Sequence, residues 1–229
     1  MATISLCMIV KNESAVLARC LDSIADLMDE IIIVDTGSTD NTKEIAAQYT
    51  SRIYDFKWTS DFSAARNFSF SKATMEYIYT ADADEILDDA NRERFLRLKD
   101  ALLPEIEIVQ MKYVTQGTFD TVLNAKKEYR PKLFRRLRTF TWIDPIHETV
   151  RLTPVTFDSD VEILHCPQSL HSKRDFSIFI KAFEHDGQFS PKIRTMYAKE
   201  LLKTGDKKDF TDAKPIFQLI FDNDPADDA

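Results

Sequence analysis

The chain has 229 residues, of which 44% are hydrophobic and 30% are charged, and its formal net charge is -8 at pH 7. This composition is typical of a globular protein in water, and the length suffices for one sizeable α/β domain with a small appendage. The acidic balance argues against nucleic acid or an anionic membrane as the main partner, so no nucleic acid partner is expected.

The first half of the chain alternates apolar runs of strand length with amphipathic runs of helix length. Ile4–Val10 predicts a core strand, and apolar residues at helical spacing over residues 16–24 predict the helix that follows it. Glu30–Asp35 contains a continuous apolar run, which is typical of a central strand buried on both faces. The next helix is expected to begin at one of three capping residues: Ser38, Thr39 or Asp40.

The same alternation continues to about residue 114. Residues 52–56, 76–80 and 105–114 are predicted strands, and residues 62–72 are a predicted helix. Another helix ends before residue 104, and its inward-facing residues are expected to be Phe95, Leu96, Leu98 and Leu102. The repeated strand and helix predict an α/β fold with a mostly parallel sheet between helices, in which ligands bind at the carboxyl ends of the strands.

From about residue 172 the pattern is helical only, with breaks at Gly187 and Gly205. We therefore expect two domains, an α/β domain over residues 1–171 and a small all-helical segment over residues 172–229. Stacked helical hairpins are typical of tetratricopeptide-like repeats, so the chain is expected to continue past Ala229, and the helices are candidates for homo-oligomer contacts. The residues expected to face inward are Phe176, Ile178, Phe179, Phe183, Tyr197, Leu201, Leu202, Ile216, Leu219 and Ile220.

Cysteine usage and the absence of a targeting pattern bear on location. The three cysteines, Cys7, Cys20 and Cys166, stand far apart and show no paired spacing. This favours a reducing compartment in which the first two serve as small core hydrophobes. The apolar run Ile4–Val10 is too short to span a bilayer and lacks a basic region before it. We expect a cytoplasmic protein with no transmembrane segment.

Two carboxylates spaced two apart follow the predicted strand over residues 76–80. In an extended backbone, Asp82 and Asp84 point to the same face and converge on one cation. Carboxylates at a strand end favour Mg²⁺ or Mn²⁺, and such an ion favours a phosphate-bearing substrate. The competing interpretation is a solvated acidic turn, because a chain with 38 acidic residues contains such triplets by chance.

Glycine content narrows the ways in which this chain can bind phosphate. The chain has only four glycines, so neither a dinucleotide-binding fingerprint nor a P-loop is present. Phosphate therefore has to be neutralised by a cation or by basic side chains. Asn12 and Glu13 follow the first strand and Asp35 ends the second, where such groups are able to hydrogen-bond a base and a ribose. Helix capping is the alternative role for these residues.

Five ordered segments carry a family resemblance: residues 4–13, residues 33–42, Trp58 with residues 61–67, residues 82–84, and His147 with Glu148. They resemble the family 2 glycosyltransferases of GT-A fold, and within them the branch of the sublancin S-glycosyltransferase and its tetratricopeptide-bearing relatives. The resemblance covers most of residues 3–165. It implies that the first two loops bind the nucleoside, that Asp-x-Asp binds the diphosphate through a divalent ion, and that the transfer inverts the anomeric centre.

The resemblance assigns donor-binding roles to individual residues. Arg66 is expected to supply positive charge to the nucleotide, and a surface helix charge is the alternative. A basic run is a candidate to neutralise the diphosphate, with Arg135 favoured because its segment resembles the family, although a solvated strand face is the ordinary interpretation. The run comprises Arg130, Lys132, Arg135, Arg136 and Arg138. The donor-binding candidates are Asn12, Glu13, Asp35, Asp61, Arg66, Asn67, Asp82 and Arg135.

The acceptor side needs a base, because the nucleophile has to lose its proton in an inverting displacement. Glu148 is the predicted catalytic base and Asp144 is the reserve. The family often has glycine where Asp144 and the following proline stand, and this departure puts the local backbone in doubt. Mn²⁺ or Mg²⁺ is the expected cofactor, and its candidate ligands are Asp82, Asp84, His147 and His165.

These observations predict an inverting, metal-dependent glycosyltransferase. The donor is expected to be a nucleotide-diphosphate sugar, in the first place a UDP-sugar, and the acceptor a peptide, a saccharide or another nucleophile. Two alternatives stay open at this stage. One is a nucleotidyltransferase of the same fold, although such enzymes usually carry a glycine-rich basic loop after the first strand. The other is a non-catalytic module that binds a nucleotide sugar and recruits a partner through its helices.

Overall fold

The computed structural model describes residues 1–115, 127–136, 142–150, 155–166 and 172–223. Arg138 and His171 lie outside these ranges. Within the ranges the chain forms a large sheet, a small sheet and a set of helices. The strands are β1 (Ile4–Val10), β2 (Glu30–Asp35), β3 (Ile53–Asp55), β4 (Tyr77–Thr80), β5 (Glu85–Ile86), β6 (Ile108–Thr115), β7 (Lys127–Arg135), β8 (Trp142–Ile143), β9 (Thr149–Val150) and β10 (Thr156–His165).

The large sheet has a parallel half and a mixed half, in the spatial order β3-β2-β1-β4-β7-β6-β10-β5. Strands β1, β2, β3 and β4 are parallel to one another, whereas β7 runs antiparallel to both β4 and β6. Strand β10 is parallel to β6, and β5 returns antiparallel along the end of β10. The carboxyl ends of β1, β2, β4, β6 and β10 therefore lie at one edge of the sheet, where loops bring polar residues together.

Helices cover both faces of this sheet. One face packs against α1 and α4, and the other packs against the aromatic side chains of α3. The helices are α1 (Leu17–Ile24), α2 (Thr42–Ala46), α3 (Phe62–Phe70), α4 (Asp89–Ala101), α5 (Ser172–Asp186), α6 (Pro191–Thr204) and α7 (Lys207–Asn223), with a 3₁₀ turn at Ala25–Leu27. None of the helices in the described part of the chain is long and apolar enough to cross a lipid bilayer.

The predicted bounds of the first two strands are confirmed, because their apolar runs are buried on both faces. Cys7 and Cys20 are buried, and burial raises the pKa of the Cys7 thiol to about 12. A thiol with so high a pKa stays protonated and unreactive at neutral pH, so both cysteines behave as small core residues.

The three C-terminal helices form a hydrophobic cluster that also includes Ile146, from the loop between β8 and β9. Trp58 and Phe62 pack against the same cluster from the sheet domain. The ring of Phe179 stacks on that of Tyr197 with centroids 4.6 Å apart, which ties α5 to α6. The helical segment is thus packed onto the loop that carries the His-Glu pair.

The helix-periodicity prediction was wrong for three leucines. Leu96, Leu202 and Leu219 were expected to face inward, but they are 42%, 78% and 51% exposed. Each belongs to a helix whose buried face is narrower than the spacing suggested, since neighbours such as Phe95 and Leu201 already fill it. A helical period fixes the angular spacing of side chains but not the width of the surface that another element covers.

Of the three predicted caps of α2, Asp40 is confirmed, because its Oδ1 accepts the N–H of Thr42, the first residue of the helix, at 3.1 Å. The residue at the N-cap position is Asn41, and its side chain makes no capping bond. Ser38 Oγ instead accepts the Asn12 N–H at 2.9 Å, and the Thr39 N–H donates to Asn12 Oδ1 at 2.7 Å. Ser38 and Thr39 therefore join the loop after β1, and Asp40 bonds the start of α2.

Candidate active site

The acidic residues after β4 form a turn, and not the extended segment that the sequence predicted. The Glu85 N–H donates to the Asp82 carbonyl oxygen at 3.1 Å and closes the turn. Asp82 is exposed, Ala83 is buried and Asp84 is half-buried. The same-face argument for residues two apart holds only in extended backbone. The directions in which the Asp82 and Asp84 side chains point are therefore determined by the turn and by neighbouring strands.

Asp84 meets His165 at the carboxyl end of β10. The distance from Asp84 Oδ2 to His165 Nε2 is 3.0 Å. Strand β5 places Glu85 opposite His165, and the Cys166 N–H donates to the Asp84 carbonyl oxygen at 3.0 Å. The His165 ring lies against Tyr113, with ring centroids 5.0 Å apart, which restricts its orientation. The sheet thus brings together an acid and an imidazole that are 81 residues apart.

This pair fits a divalent ion that arrives with a phosphate ligand. Within the described residues, no group of three or more His, Cys, Asp or Glu side chains is placed to hold a metal ion. A carboxylate and an imidazole are suitable ligands for Mn²⁺, but two protein ligands leave a six-coordinate shell incomplete. Ions bound in this way normally take their remaining ligands from substrate phosphate and water. The donor set therefore fits a substrate-carried ion better than a resident metal centre.

A buried ion pair lies beside the acidic turn. The Lys132 Nζ donates to Glu85 Oε1 at 2.5 Å, and Glu85 Oε2 accepts the Asp82 N–H at 3.2 Å. Burial raises the pKa of Glu85 to about 7, although the Lys132 ammonium opposes the rise, and the charge of Asp82 adds to it. Lys132 is aimed by a β-bulge: Val109 and Gln110 of β6 pair with Leu133 and Pro131, so Lys132 is the extra residue.

Several cations lie near Asp82. Although the Asp82 side chain is exposed, enough protein surrounds it to weaken its solvation, and this opposes ionisation. Nearby cations outweigh that effect, so the pKa of Asp82 lies below its ordinary value. The groups responsible are Lys132, Arg66, Arg130 and His165. Arg130 also lies over the Tyr113 ring, with its guanidinium carbon 3.7 Å from the centroid. Basic side chains grouped in this way are suited to contact an anionic ligand.

Arg66 joins helix α3 to the hairpin of β8 and β9. Its Nε donates to Glu148 Oε1 at 2.8 Å, and its Nη2 bonds the same oxygen. Its Nη1 donates to Thr80 Oγ1, at the end of β4, and its guanidinium carbon lies 4.8 Å from the Trp142 ring centroid. Burial alone would lower the pKa of Arg66, but the negative charges of Glu148 and Asp82 raise it above its usual value.

The hairpin loop between β8 and β9 is held from both sides. Asp144 and His147 have positive φ values of 72° and 50°, which side chains other than glycine adopt at a cost. The Phe62 N–H donates to the Pro145 carbonyl oxygen at 2.9 Å, and Lys192 Nζ of α6 donates to the His147 carbonyl oxygen at 3.0 Å. The strained backbone is thus supported by both the sheet domain and the helical segment.

His147 occupies a different place from His165. Its ring packs 6.1 Å from the Phe179 ring of α5, and burial lowers its pKa against the opposing effect of Asp175. Of the two histidines predicted as metal ligands, His165 contacts Asp84, whereas His147 packs on the helical segment.

The loops after β1 and β2 form one polar surface. Asn12, with φ of 56°, accepts the Thr39 N–H through its side chain. Asp35 is 2% exposed, and its Oδ1 accepts the N–H groups of Gly37 and Ser38, each at 2.9 Å. Among the described residues, its Oδ2 is buried with no hydrogen-bond partner. A buried carboxylate oxygen without a protein donor is able to accept a hydrogen bond from a ligand or a water molecule.

Three donor-binding candidates make scaffold contacts in the structure. Asp61 caps α3, accepting the Ala64 N–H at 3.1 Å. Asn67 brackets the Trp142 backbone, donating to its oxygen at 3.2 Å and accepting its N–H at 3.0 Å. The Glu13 N–H donates to Thr42 Oγ1 at 2.8 Å, and the Glu13 carbonyl oxygen accepts from the first residues of α1.

Arg135 is not part of this group of residues. It pairs with Tyr77 at the amino-terminal end of β4, and its Nη1 donates to the Pro104 carbonyl oxygen. The acidic turn follows the opposite end of β4, so the expectation that Arg135 faces the diphosphate was wrong. Lys132 and Arg130, from the same basic run, lie near Asp82 instead.

Sequence reasoning missed Glu85 and underrated Lys132. Glu85 directly follows the acidic triplet, so its position was visible, but nothing local distinguished a buried glutamate from a solvated one. Lys132 could not be distinguished from the other basic residues of its strand, because the bulge that orients it depends on pairing between β6 and β7.

The chain matches the family described as Glycosyl transferase family 2 over residues 5–153. A TPR repeat-containing protein of Synechococcus elongatus is 48% identical over 87 residues, which are 38% of this chain and 22% of that protein. The SPbeta prophage-derived glycosyltransferase SunS of Bacillus subtilis is 33% identical over 132 residues, 56% of this chain and 31% of that protein. The chain thus spans about a fifth to a third of the length of these curated relatives.

A solved structure shares the fold. Glucosyl-3-phosphoglycerate synthase from Mycobacterium tuberculosis, crystallised with Mn²⁺, UDP-glucose and phosphoglyceric acid, superposes with a TM-score of 0.58 and 18% sequence identity. The match covers 82% of this chain and 81% of that one. At this identity the likeness shows the fold alone. Together with α5, α6 and α7, it confirms the predicted fold class, a GT-A domain followed by a helical segment.

Proposed function

Because the chain belongs to glycosyl transferase family 2, we propose that it is an inverting, metal-dependent glycosyltransferase that uses a nucleotide-diphosphate donor, in the first place a UDP-sugar. The acceptor is a nucleophile of a peptide, a saccharide or another molecule. The solved relative was crystallised with UDP-glucose and Mn²⁺, which makes UDP and manganese the first probes to use.

The Asp84–His165 contact within a group of cations is the observation that carries this proposal. The two side chains are 3.0 Å apart at the edge where the strands end. Next to them, the pKa of Asp82 is lowered by the positive charges of Lys132, Arg66 and Arg130. Ligands for a divalent ion combined with nearby basic side chains suit a polyanion such as a diphosphate, because each of its phosphates carries charge that must be neutralised.

The nucleoside end of the donor fits the adjoining loops. Asp35 has a buried oxygen without a donor, and a ribose hydroxyl or a base N–H would supply one. Asn12 and Glu13 lie on the neighbouring loop after β1, which Asn12 ties to the loop after β2. The predicted contacts of these three residues with uracil and ribose remain proposals.

In the proposed reaction the acceptor attacks the anomeric carbon from the side opposite the diphosphate. A bond forms from the acceptor atom to that carbon, and the bond from the carbon to the phosphate oxygen breaks with its electron pair. Glu148, or Asp144 in its place, takes the acceptor proton. Arg66 neutralises part of the charge on the leaving group. A divalent ion at Asp84 and His165, with Asp82 close by, supplies further stabilisation of that charge when it is bound.

Isothermal titration with UDP, with and without Mn²⁺, tests the donor assignment. We expect binding that strengthens at least tenfold with the metal and that returns to the metal-free affinity after chelation. Hydrolysis of a panel of UDP-sugars then identifies the sugar, and mass spectrometry of treated peptides and saccharides identifies the acceptor.

The outcomes separate the rival functions. Metal-dependent UDP binding with sugar release supports a transferase. Binding without any turnover on a donor or an acceptor favours a non-catalytic module, and turnover of a nucleoside triphosphate with a sugar phosphate favours a nucleotidyltransferase. The absence of any UDP binding contradicts the proposal as a whole.

A further inference from the structure

Glu85, the first residue of β5, is a charged side chain in a buried position. It is 2% exposed, and each of its carboxylate oxygens has a defined partner: Oε1 binds the Lys132 ammonium and Oε2 binds the Asp82 N–H. The Lys132 side chain is itself only 7% exposed. Both ions of this pair have therefore given up most of their hydration.

Such a pair is a poor means of stabilising a fold. The cost of removing two ions from water approaches or exceeds the attraction between them, and apolar residues of similar size usually serve as well. The β-bulge at Lys132 also interrupts the ladder between β6 and β7. Two costly features at one place, both directed at the acidic turn, indicate a role in the site.

The geometry shows what the pair accomplishes. Glu85 holds the Asp82 backbone in the turn with one oxygen and holds the ammonium of Lys132 beside that turn with the other. A lysine ammonium has three N–H donors, and Glu85 takes one of them. The centroid of the Tyr113 ring lies 5.4 Å from the Lys132 ammonium, and the ring restricts the movement of that ammonium.

We propose that Glu85 is a positioning residue for the donor diphosphate, which fixes the Lys132 ammonium and the Asp82 turn so that both face the same phosphates. This inference rests on the proposed donor-binding function of the same site. It adds Lys132 as a direct phosphate contact and Glu85 as the residue that aims it.

Glu85→Gln tests the proposal because it keeps the size of the side chain and removes the charge that holds Lys132. We expect the affinity for UDP in the presence of Mn²⁺, measured by titration calorimetry, to fall at least tenfold. The affinity for uridine, which has no phosphate, is expected to stay within twofold of that of the wild type. Unchanged UDP affinity in Glu85→Gln overturns the proposal.

A double variant separates positioning from simple stabilisation. Glu85→Gln with Lys132→Met removes the buried cation that the single change leaves unpaired, so thermal stability is expected to recover relative to Glu85→Gln alone. A positioning role keeps UDP affinity low in the double variant, because the phosphate contact is gone. Recovery of UDP affinity together with stability overturns the proposal.

The chain provides a matched control at the opposite end of the parallel strands. Lys99, whose side chain is 7% exposed, pairs with Asp29 at 2.7 Å near the start of β1. Asp29→Asn is expected to lower the unfolding temperature and to leave UDP affinity unchanged. A wild-type protein that does not bind UDP overturns the proposed function, and this inference with it, whereas a wild type that binds beside an unaffected Glu85→Gln overturns this inference alone.

Discussion

Arg66 of α3 and Glu148 of the hairpin form an ion pair in which two guanidinium nitrogens share one carboxylate oxygen, with Nε 2.8 Å from Oε1. The side chains are 12% and 14% exposed, so the pair is only weakly screened by solvent. The same guanidinium bonds Thr80 at the end of β4. Arg66 thus connects the proposed base on the acceptor side to the strand that leads into the acidic turn.

Removing the positive charge of this pair is expected to destabilise the fold. Arg66→Met leaves Glu148 partly buried without its partner, and we expect a loss of about 2 kcal/mol in the free energy of unfolding, measured by urea titration. Arg97→Met is the control, because Arg97 is exposed and lies 4.0 Å from Glu93 on a helix surface. A loss in Arg66→Met no larger than that in Arg97→Met would show that the pair contributes little.

Glu148→Gln distinguishes the two candidate bases. Glutamine keeps an oxygen that accepts from Arg66 but cannot take a proton, so turnover is expected to fall about 100-fold or more with little change in UDP affinity. Asp144→Asn, in the same loop, is expected to have a smaller effect. Donor hydrolysis and transfer rates provide the measurement, and the reverse order of effects would assign the base to Asp144.

Asp84→Asn tests the metal-binding pair. The amide is a weaker ligand than the carboxylate, so the strengthening of UDP binding by Mn²⁺ is expected to fall about 10-fold to 100-fold, as measured by titration calorimetry. His165→Ala is expected to behave in the same way. Asp89→Asn, on the surface at the start of α4, is the control. Metal-enhanced binding that persists in both site variants would place the ion elsewhere.

Asp61 is expected to matter for the stability of α3 through its capping bond to the Ala64 N–H. Asp61→Ala removes that acceptor, and the expected cost is about 1 kcal/mol in the free energy of unfolding. Asp61→Asn, which still caps a helix, is expected to cost much less. Urea titration of the three proteins measures the difference, and equal losses in both variants would argue for a role of the carboxylate charge.

The lowered pKa of Asp40 leads us to expect that the stability of the fold depends on pH. Partial burial opposes its ionisation, but hydrogen bonds from Ser14 and Thr42 outweigh this and lower its pKa from 3.8 to about 2. A folded-state pKa below the unfolded value stabilises the fold above about pH 4, and the contribution is lost as the pH falls toward about 2. The wild type and Asp40→Asn should therefore differ in unfolding free energy at pH 7 and converge by pH 2. Urea titrations across this range measure it, and a constant difference would contradict the assignment.

The sequence by itself determined where most of the strands and helices up to about residue 114 lie. Local apolar periodicity sets those elements, so β1 and β2 match their predicted bounds and the helical segment begins where the pattern changes. The ordered motifs also determined the family, since the match covers residues 5–153. Asp84, Arg66, Glu148 and His165 were all recognised from the sequence as candidates.

The tertiary structure alone decided which of these residues meet. His165 reaches Asp84 because β5 turns back along the end of β10, and Lys132 reaches Glu85 because a bulge adds one residue to β7. Arg135 was misplaced because a strand's sequence does not reveal its direction beside its neighbours. These relationships depend on pairing between segments distant in the chain, and a local pattern carries no information about the register or direction of such pairing.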